Sequence, residues 1–93
     1  MTVPINIELS GKTALITGAT RGIGKAIAQK FIESGAAVVL TGTKDDVVKR
    51  LIRENKNPKI HWLQADFSTR QGINSFIDKL KYIDSIDICI NNA

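Results

Sequence analysis

The sequence of 93 residues has a single cysteine, Cys89, which excludes an internal disulfide and cannot build a metal site by itself. It has no run of about 18 apolar residues, so it contains no segment typical of a membrane-spanning helix. The N-terminus lacks a basic region followed by an apolar stretch, and we therefore expect no secretory signal. These absences predict a cytoplasmic protein that has neither a membrane nor a metal ion as a partner.

Aromatic residues and clustered positive charge are also scarce. The five aromatic side chains are dispersed along the chain, and the net charge of +4 comes from 13 Lys and Arg against 9 Asp and Glu. The basic residues form only short pairs such as Lys49-Arg50. Nucleic-acid-binding proteins cluster basic residues with aromatic side chains that stack on bases. The sequence therefore predicts no nucleic-acid partner and favours a small anionic ligand.

The composition is that of one folded domain, since 43% of the residues are hydrophobic and 24% are charged. This balance excludes a disordered chain, and the length is too short for two domains. Short apolar runs, rich in β-branched side chains and bounded by Gly or Pro, predict four strands. The runs cover residues 13–17, 37–41, 59–63 and 86–90.

The first of three predicted helices lies between the first two strands. Ile23, Ile27 and Phe31 recur at the spacing of one helical face, which we expect to be buried. Ser34-Gly35 then forms a typical helix C-terminus.

The second and third helices follow the second and third strands. An apolar stripe over residues 47–52 comes after a capping box that begins at Thr43. Another stripe over residues 73–80 comes after a capping box that begins at Ser68. The order βαβαβαβ predicts an α/β fold, a partial doubly wound (Rossmann) domain with a four-stranded parallel sheet and helices on both faces.

A glycine-rich turn over residues 17–24 joins the first strand to the first helix. Its glycines have the spacing G-x3-G-x-G. Gly18 allows a sharp turn, Gly22 lets the backbone approach a phosphate, and Gly24 lets the helix pack close to the sheet. The helix N-terminus would then present amide groups to a pyrophosphate. The alternative is a tight turn without a ligand.

The sequence Thr-Gly-Ala-Thr-Arg-Gly-Ile-Gly at residues 17–24, together with Asn91-Asn92-Ala93, resembles the classical short-chain dehydrogenases/reductases. The first segment matches the family's TGxxxGxG cofactor motif, and the second matches its NNAG motif up to the glycine. Within the family, the chain is similar to the 3-oxoacyl-[acyl-carrier-protein] reductases. The resemblance covers the whole chain and implies that residues 1–93 are the dinucleotide-binding half of a Rossmann domain, truncated after strand four.

The end of the second strand favours NADP(H) over NAD(H). An acidic residue at this position binds the ribose hydroxyls in NAD-binding proteins, whereas this chain has Gly42 and no carboxylate before Asp45. Arg21 and Lys44 can supply positive charge to a 2′-phosphate, and Thr43 can supply a hydroxyl. The alternative is that both cations are solvated surface charges.

The resemblance also implies roles along the rest of the cofactor. Asp66 would accept a hydrogen bond from the adenine amino group, the Phe67 backbone would border the ring, and Asn92 and Ala93 would lie along the ribose and nicotinamide. Alternatively, Asp66 caps or precedes the third helix, and the Asn pair forms a turn without a ligand. The complete set of predicted cofactor-binding residues is Gly18, Ala19, Thr20, Arg21, Gly22, Ile23, Gly24, Thr43, Lys44, Asp66, Phe67, Asn92 and Ala93.

Catalytic residues are not apparent in the sequence. Reduction of a carbonyl needs a general acid, which in the family is the Tyr of a Tyr-x-x-x-Lys motif that follows NNAG. Tyr82 has Ile86 where the lysine is required. His61 has no partner that would make a triad, and Cys89 is expected to be a buried strand residue. We therefore expect this chain not to be catalytic.

Two classes of function remain from the sequence. The first is the NADP(H)-binding N-terminal portion of a short-chain oxidoreductase that reduces a carbonyl, such as a 3-oxoacyl thioester of fatty acid biosynthesis. The alternative is a non-catalytic dinucleotide-binding or interaction module, or a half-fold remnant without function. The fourth strand would have an uncovered edge, which predicts self-association through that edge.

Overall fold

A computed structural model describes residues 8–92 and contains four strands and three helices in the predicted order. All strand pairs are parallel, and the order across the sheet is β3-β2-β1-β4. This confirms the α/β fold with a four-stranded parallel sheet. The elements are Thr13–Ile16 (β1), Gly22–Glu33 (α1), Ala37–Gly42 (β2), Asp45–Glu54 (α2), Ile60–Gln64 (β3), Arg70–Leu80 (α3) and Ile88–Ile90 (β4).

The two central strands, β1 and β2, are apolar on both faces because helices cover both. Successive side chains of a strand point to opposite faces of a sheet. In β2, Val38 and Leu40 belong to the cluster that packs against α1, whereas Val39 belongs to the cluster that contains Phe76 of α3. The continuous apolar runs of the sequence therefore report burial from both sides, as expected for a parallel sheet.

The helices bury less of their apolar stripes than the sequence predicts. Ile27 and Phe31 of α1 pack against the core, but Ile23 is 72% exposed. Ile23 lies in the first turn of α1, within the glycine-rich turn, and belongs to neither hydrophobic cluster of the described residues. In α3, Phe76 is buried whereas Ile73 and Ile77 are exposed, because α3 is the only described helix that contributes to the cluster on its face.

Two predicted helix N-termini are wrong by one residue. The helix α2 begins after Lys44, not Thr43, and its N-cap side chain makes no capping hydrogen bond. The helix α3 begins after Thr69, whose hydroxyl accepts a hydrogen bond from the Gly72 amide at 3.0 Å. Ser68, the predicted cap, instead bonds to a residue that precedes it. At the end of α1, Ser34 is the C-cap as predicted.

Strand β4 lies at the edge of the sheet and is shorter than its apolar run. It begins at Ile88, because Asp87 is engaged with the start of β1: its amide donates to the Thr13 carbonyl at 2.8 Å and its carboxylate accepts from the Thr13 amide at 2.9 Å. Ile88 and Ile90 pack against the core, but Cys89 is exposed on the other face. The prediction that Cys89 is buried is therefore wrong.

Within the described part of the chain, no helix has the length and apolar character needed to cross a bilayer. The same residues contain no group of three or more His, Cys, Asp or Glu side chains able to hold a metal ion.

The burial difference along α3 gives a matched pair of variants. Phe76 is 7% exposed and Ile77 is 50% exposed. We expect Phe76→Ala to lower the free energy of unfolding by about 3–5 kcal/mol, because it leaves a cavity beneath the sheet. Ile77→Ala should cost less than about 1 kcal/mol. Urea denaturation followed by circular dichroism measures both, and Phe76→Leu replaces Phe76→Ala if the latter does not fold. A larger loss for Ile77→Ala would contradict the packing of α3.

Candidate functional site

The carboxyl ends of β1, β2 and β4 meet at a cleft of about 550 Å³. In a parallel sheet these ends share one edge, which is where open α/β folds bind ligands. The glycine-rich turn forms one wall, and the segment between β2 and α2 forms another. The residues that line the cleft are Gly18, Thr20, Arg21, Gly22, Gly42, Thr43, Lys44, Val47 and Asn92.

The first part of the glycine-rich turn is held by Thr41 at the end of β2. The Gly18 amide donates to the Thr41 hydroxyl oxygen at 3.2 Å, and the Ala19 amide donates to the Thr41 carbonyl at 2.9 Å. Gly18 has φ +63°, a backbone conformation that a side chain disfavours. The amides of Gly18 and Ala19 are therefore committed to the protein, and any phosphate contacts must come from later amides.

The second part of the turn opens towards the cleft. Gly22, the first residue of α1, has φ +62°, and a Cβ built on it would meet no heavy atom within 4 Å. The N-cap residue Arg21 has an extended backbone and makes no side-chain capping bond. The first turn of α1 thus keeps the amide donors and positive dipole end that favour anions. This open approach at Gly22 fits the phosphate group of a dinucleotide.

Gly24 brings α1 against the ends of β1 and β4. A Cβ at this position would lie 2.2 Å from the Gly18 carbonyl oxygen and 2.5 Å from the Asn92 side-chain nitrogen. Both contacts are far below van der Waals distance, and the first is to backbone. The third glycine of the motif therefore allows the close packing that the sequence predicts.

Thr17 and the two asparagines link β4 to the glycine-rich turn. The Thr17 hydroxyl donates to the Asn91 side-chain oxygen at 3.1 Å and accepts from the Asn92 amide at 2.9 Å. The Asn92 side-chain amide donates to the Gly18 carbonyl at 3.2 Å. Asn92 therefore lines the cleft while it also braces the turn, a role that the sequence pattern alone does not reveal.

The cleft is electrostatically positive. Arg21 and Lys44 line it, and no Asp or Glu is among its lining residues. The nearest acidic residue in sequence, Asp45, forms an ion pair with Lys49 at 2.9 Å on the exposed surface of α2. Strand β2 ends at Gly42, at the position where NAD-binding proteins have an acidic side chain that forms hydrogen bonds with the ribose hydroxyls. This arrangement suits an additional phosphate.

Asp66 and Phe67 follow β3 at the same edge of the sheet but do not line the cleft. The Asp66 carboxylate accepts from the Ser68 hydroxyl at 2.5 Å and from the Ser68 amide at 2.9 Å. Both hydrogen bonds lower the pKa of the Asp66 carboxyl group, and the bond from the Ser68 hydroxyl has the larger effect. The Phe67 ring packs edge-on against Phe76, with centroids 5.1 Å apart. Asp66 thus forms a turn that precedes α3.

The structure brings most of the predicted site residues together and separates the others. Ala19 and Gly24 are buried within the turn, Ile23 is exposed and does not line the cleft, and Ala93 lies outside the described residues. The predicted residues that line the cleft are Gly18, Thr20, Arg21, Gly22, Thr43, Lys44 and Asn92.

Sequence reasoning missed three contributors to the site. Val47 lines the cleft, although its spacing indicates only an apolar helix face. Gly42 also lines the cleft, whereas the sequence indicates only that an acidic residue is missing at this position. Thr41 holds the turn from beneath. The only sequence signal for this role of Thr41 is that it is a polar residue near the end of an otherwise apolar strand.

A family profile described as short chain dehydrogenase matches residues 12–93. The 3-oxoacyl-[acyl-carrier-protein] reductase FabG of Aquifex aeolicus is 38% identical over 93 residues, which cover 96% of this chain and 38% of that protein. The chain therefore spans little more than a third of this curated relative.

Solved structures show the same fold. The 2-keto-3-deoxy-D-gluconate dehydrogenase of Streptococcus agalactiae is 41% identical with a TM-score of 0.75, over 95% of this chain and 34% of its own. The L-sorbose reductase of Gluconobacter frateurii, solved in complex with NADPH and L-sorbose, is 31% identical with a TM-score of 0.76, over 96% of this chain and 35% of its own.

Two glycines of the turn are expected to respond differently to alanine. Gly24→Ala should lower the free energy of unfolding by about 3 kcal/mol or more, because its Cβ collides with a backbone carbonyl that cannot rotate away. Gly22→Ala should cost about 1–2 kcal/mol, since only its positive φ opposes a side chain. Urea denaturation of the two variants compares them directly. An equal or smaller loss for Gly24→Ala would be incompatible with the close packing of α1.

Proposed function

The chain belongs to the short-chain dehydrogenase family, and from this premise we propose that residues 1–93 are the dinucleotide-binding N-terminal portion of a cytoplasmic, NADP(H)-dependent oxidoreductase that reduces a carbonyl. The observation that carries the proposal is the cleft itself. The uncapped N-terminus of α1 faces it at Gly22, and Arg21 and Lys44 line it without a carboxylate.

The selection of NADP(H) rests on charge at the end of β2. A 2′-phosphate adds negative charge, which Arg21 can bind through its planar guanidinium and Lys44 through its ammonium group. Thr43 lies between Gly42 and Lys44 in the sequence, and all three residues line the cleft. Its hydroxyl offers a further donor. The complex of the similar L-sorbose reductase with NADPH supports this choice.

The remaining residues of the site bind and position the cofactor. A bound nicotinamide cofactor supplies a hydride to the carbonyl carbon of a substrate. Gly22 and the amides that follow it bind the diphosphate, and Gly18 gives the turn its shape. We assign Asn92, which is braced by Thr17, to the end of the cleft beside β4, where it orients the ribose and nicotinamide portion. Asp66 and Phe67 remain our candidates for the adenine end.

We further propose that these 93 residues bind cofactor without turning over a substrate. The residues that line the cleft include no tyrosine to match the family's general acid, and Tyr82, which follows α3, is 89% exposed and outside the cleft. The similarity to a 3-oxoacyl-[acyl-carrier-protein] reductase supports a 3-oxoacyl thioester of fatty acid biosynthesis as the substrate of the whole enzyme. A non-catalytic dinucleotide-binding module is the second candidate, because seven of the residues that line the cleft are ones that we propose bind the cofactor.

Self-association through β4 is the third part of the proposal. Among the described strands, β4 pairs only with β1, so its other edge presents unpaired backbone groups. Its side chains are apolar, with Cys89 exposed at its centre. A second copy of the chain can pair with this edge across a two-fold axis and extend the sheet.

The cofactor proposal predicts selective loss of NADPH affinity. We expect the chain to bind NADPH more tightly than NADH in fluorescence titrations. Arg21→Ala and Lys44→Ala should each weaken NADPH binding by about ten- to a hundredfold, because a charge-assisted hydrogen bond contributes about 1.5–3 kcal/mol. Both variants should leave NADH binding nearly unchanged.

Lys49→Ala is the matched control for this titration, since Lys49 is exposed on α2 and does not line the cleft. Undetectable binding of both dinucleotides, or equal affinity for the two, would refute the NADP(H) proposal. Steady consumption of NADPH by this polypeptide with a 3-oxoacyl thioester would refute the proposal that it does not turn over substrate.

The edge proposal predicts a reversible dimer. Under reducing conditions, we expect the chain and its Cys89→Ser variant to sediment as dimers in analytical ultracentrifugation at micromolar concentration. Cys89→Lys should sediment as a monomer, because a charge on an edge strand opposes strand pairing. A monomeric parent chain, or a Cys89→Lys dimer, would show that β4 is not the interface.

A further inference from the structure

Gly42, the last residue of β2, is glycine for lack of space and not for its backbone conformation. Its φ is not positive, in contrast to Gly18 and Gly22. A Cβ at Gly42 would lie 2.6 Å from Cγ2 of Thr20 and 3.0 Å from Cγ2 of Val48. Three elements, the glycine-rich turn, β2 and α2, thus converge on the volume that a side chain at this position would need.

The backbone at Gly42 is fixed and cannot retreat from these contacts. Gly42 is in register with Gln64 of β3, and its carbonyl accepts a hydrogen bond from the Ala65 amide at 2.9 Å. On the other side, Thr41 binds the amides of Gly18 and Ala19. A side chain at position 42 can therefore be accommodated only if Thr20 or Val48 moves.

The methyl groups of Thr20 and Val48 oppose a side chain at position 42 to different degrees. Val48 is fully buried, and a shift of a few tenths of an ångström relieves its contact at 3.0 Å. The Thr20 contact at 2.6 Å is much tighter, and only the methyl causes it, since the Thr20 Cβ would be 3.9 Å away. The Thr20 methyl group is thus the main barrier to a side chain at position 42.

Position 42 is where an acidic side chain at the end of the second strand binds the ribose 2′-hydroxyl and repels a 2′-phosphate. On the basis of the proposed dinucleotide-binding function, we propose that Thr20 is a specificity-determining residue. Its methyl group fills the space that a side chain at position 42 would need. A substitution at position 42 alone therefore cannot place a carboxylate beside the ribose. Residues 20 and 42 then act as one unit, and a change of preference to NAD(H) requires substitution of both.

Serine and valine at position 20 separate the methyl group from the hydroxyl. Thr20→Ser removes only the methyl group and keeps the hydroxyl. Thr20→Val keeps a methyl group in place and removes the hydroxyl. A steric barrier predicts that serine relieves the conflict and that valine does not, whereas a role for the hydroxyl predicts the reverse.

The first experiment needs no cofactor. We expect Gly42→Ala to lower the melting temperature by about 4 °C or more, because it overpacks the contact with Thr20. The double variant Thr20→Ser/Gly42→Ala should recover most of this loss, and Thr20→Val/Gly42→Ala should recover none. An unchanged melting temperature for Gly42→Ala, or equal recovery by serine and valine, would overturn the proposal whether or not the chain binds a dinucleotide.

The second experiment measures dissociation constants for NADPH and NADH. Gly42→Asp should lose NADPH affinity by roughly tenfold or more without gaining NADH affinity, because the carboxylate displaces the turn. Thr20→Ser/Gly42→Asp should bind NADH roughly tenfold or more tightly than Gly42→Asp does. Thr20→Val/Gly42→Asp should resemble Gly42→Asp.

The outcomes of the two experiments are distinguishable. A full change of preference by Gly42→Asp alone would refute the role of Thr20 while it supports the dinucleotide-binding function. Absence of NADPH and NADH binding to the parent chain would refute that function, and with it the specificity role, even if the melting temperatures confirm the steric coupling.

Discussion

The close approach of α1 to the ends of β1 and β4 is the constraint on which the cleft depends. Gly24 lies so near the Gly18 carbonyl and the Asn92 side chain that no Cβ fits between them. This contact places the N-terminus of α1 at the edge of the sheet and presses the end of β4 against the turn. The position of the helix N-terminus, where we propose that an anion binds, is therefore decided by packing.

Much of the fold could be predicted because its causes are local. Each strand is a short apolar run bounded by Gly, Pro or polar residues, and each helix carries an apolar stripe between two such runs. Their alternation then determines a parallel sheet through the right-handed crossover. Helix boundaries and exposure were less predictable: Ile23 and Ile77 have the spacing of buried residues, yet what covers a residue depends on neighbouring elements and not on spacing.

The candidate site was predictable to the extent that its chemistry lies in one segment. The glycine spacing and the basic residues near the end of β2 indicate the cleft, and seven predicted residues line it. The hydrogen bonds that shape it join residues far apart in sequence, such as Gly18 with Thr41 and Asn92 with Thr17. Such pairs leave no periodic signature, so sequence reasoning could name Asn92 without recognising that it braces the turn.

Thr41 binds the amides of Gly18 and Ala19 from within the sheet, and this has a thermodynamic consequence. The turn owes its shape to the protein and not to an anion. Under the proposed function, an incoming diphosphate would meet a turn whose backbone is already held in place, and association would cost little conformational entropy. Discrimination among anions would then rest on their fit to a turn that the hydrogen bonds from Thr41 already hold.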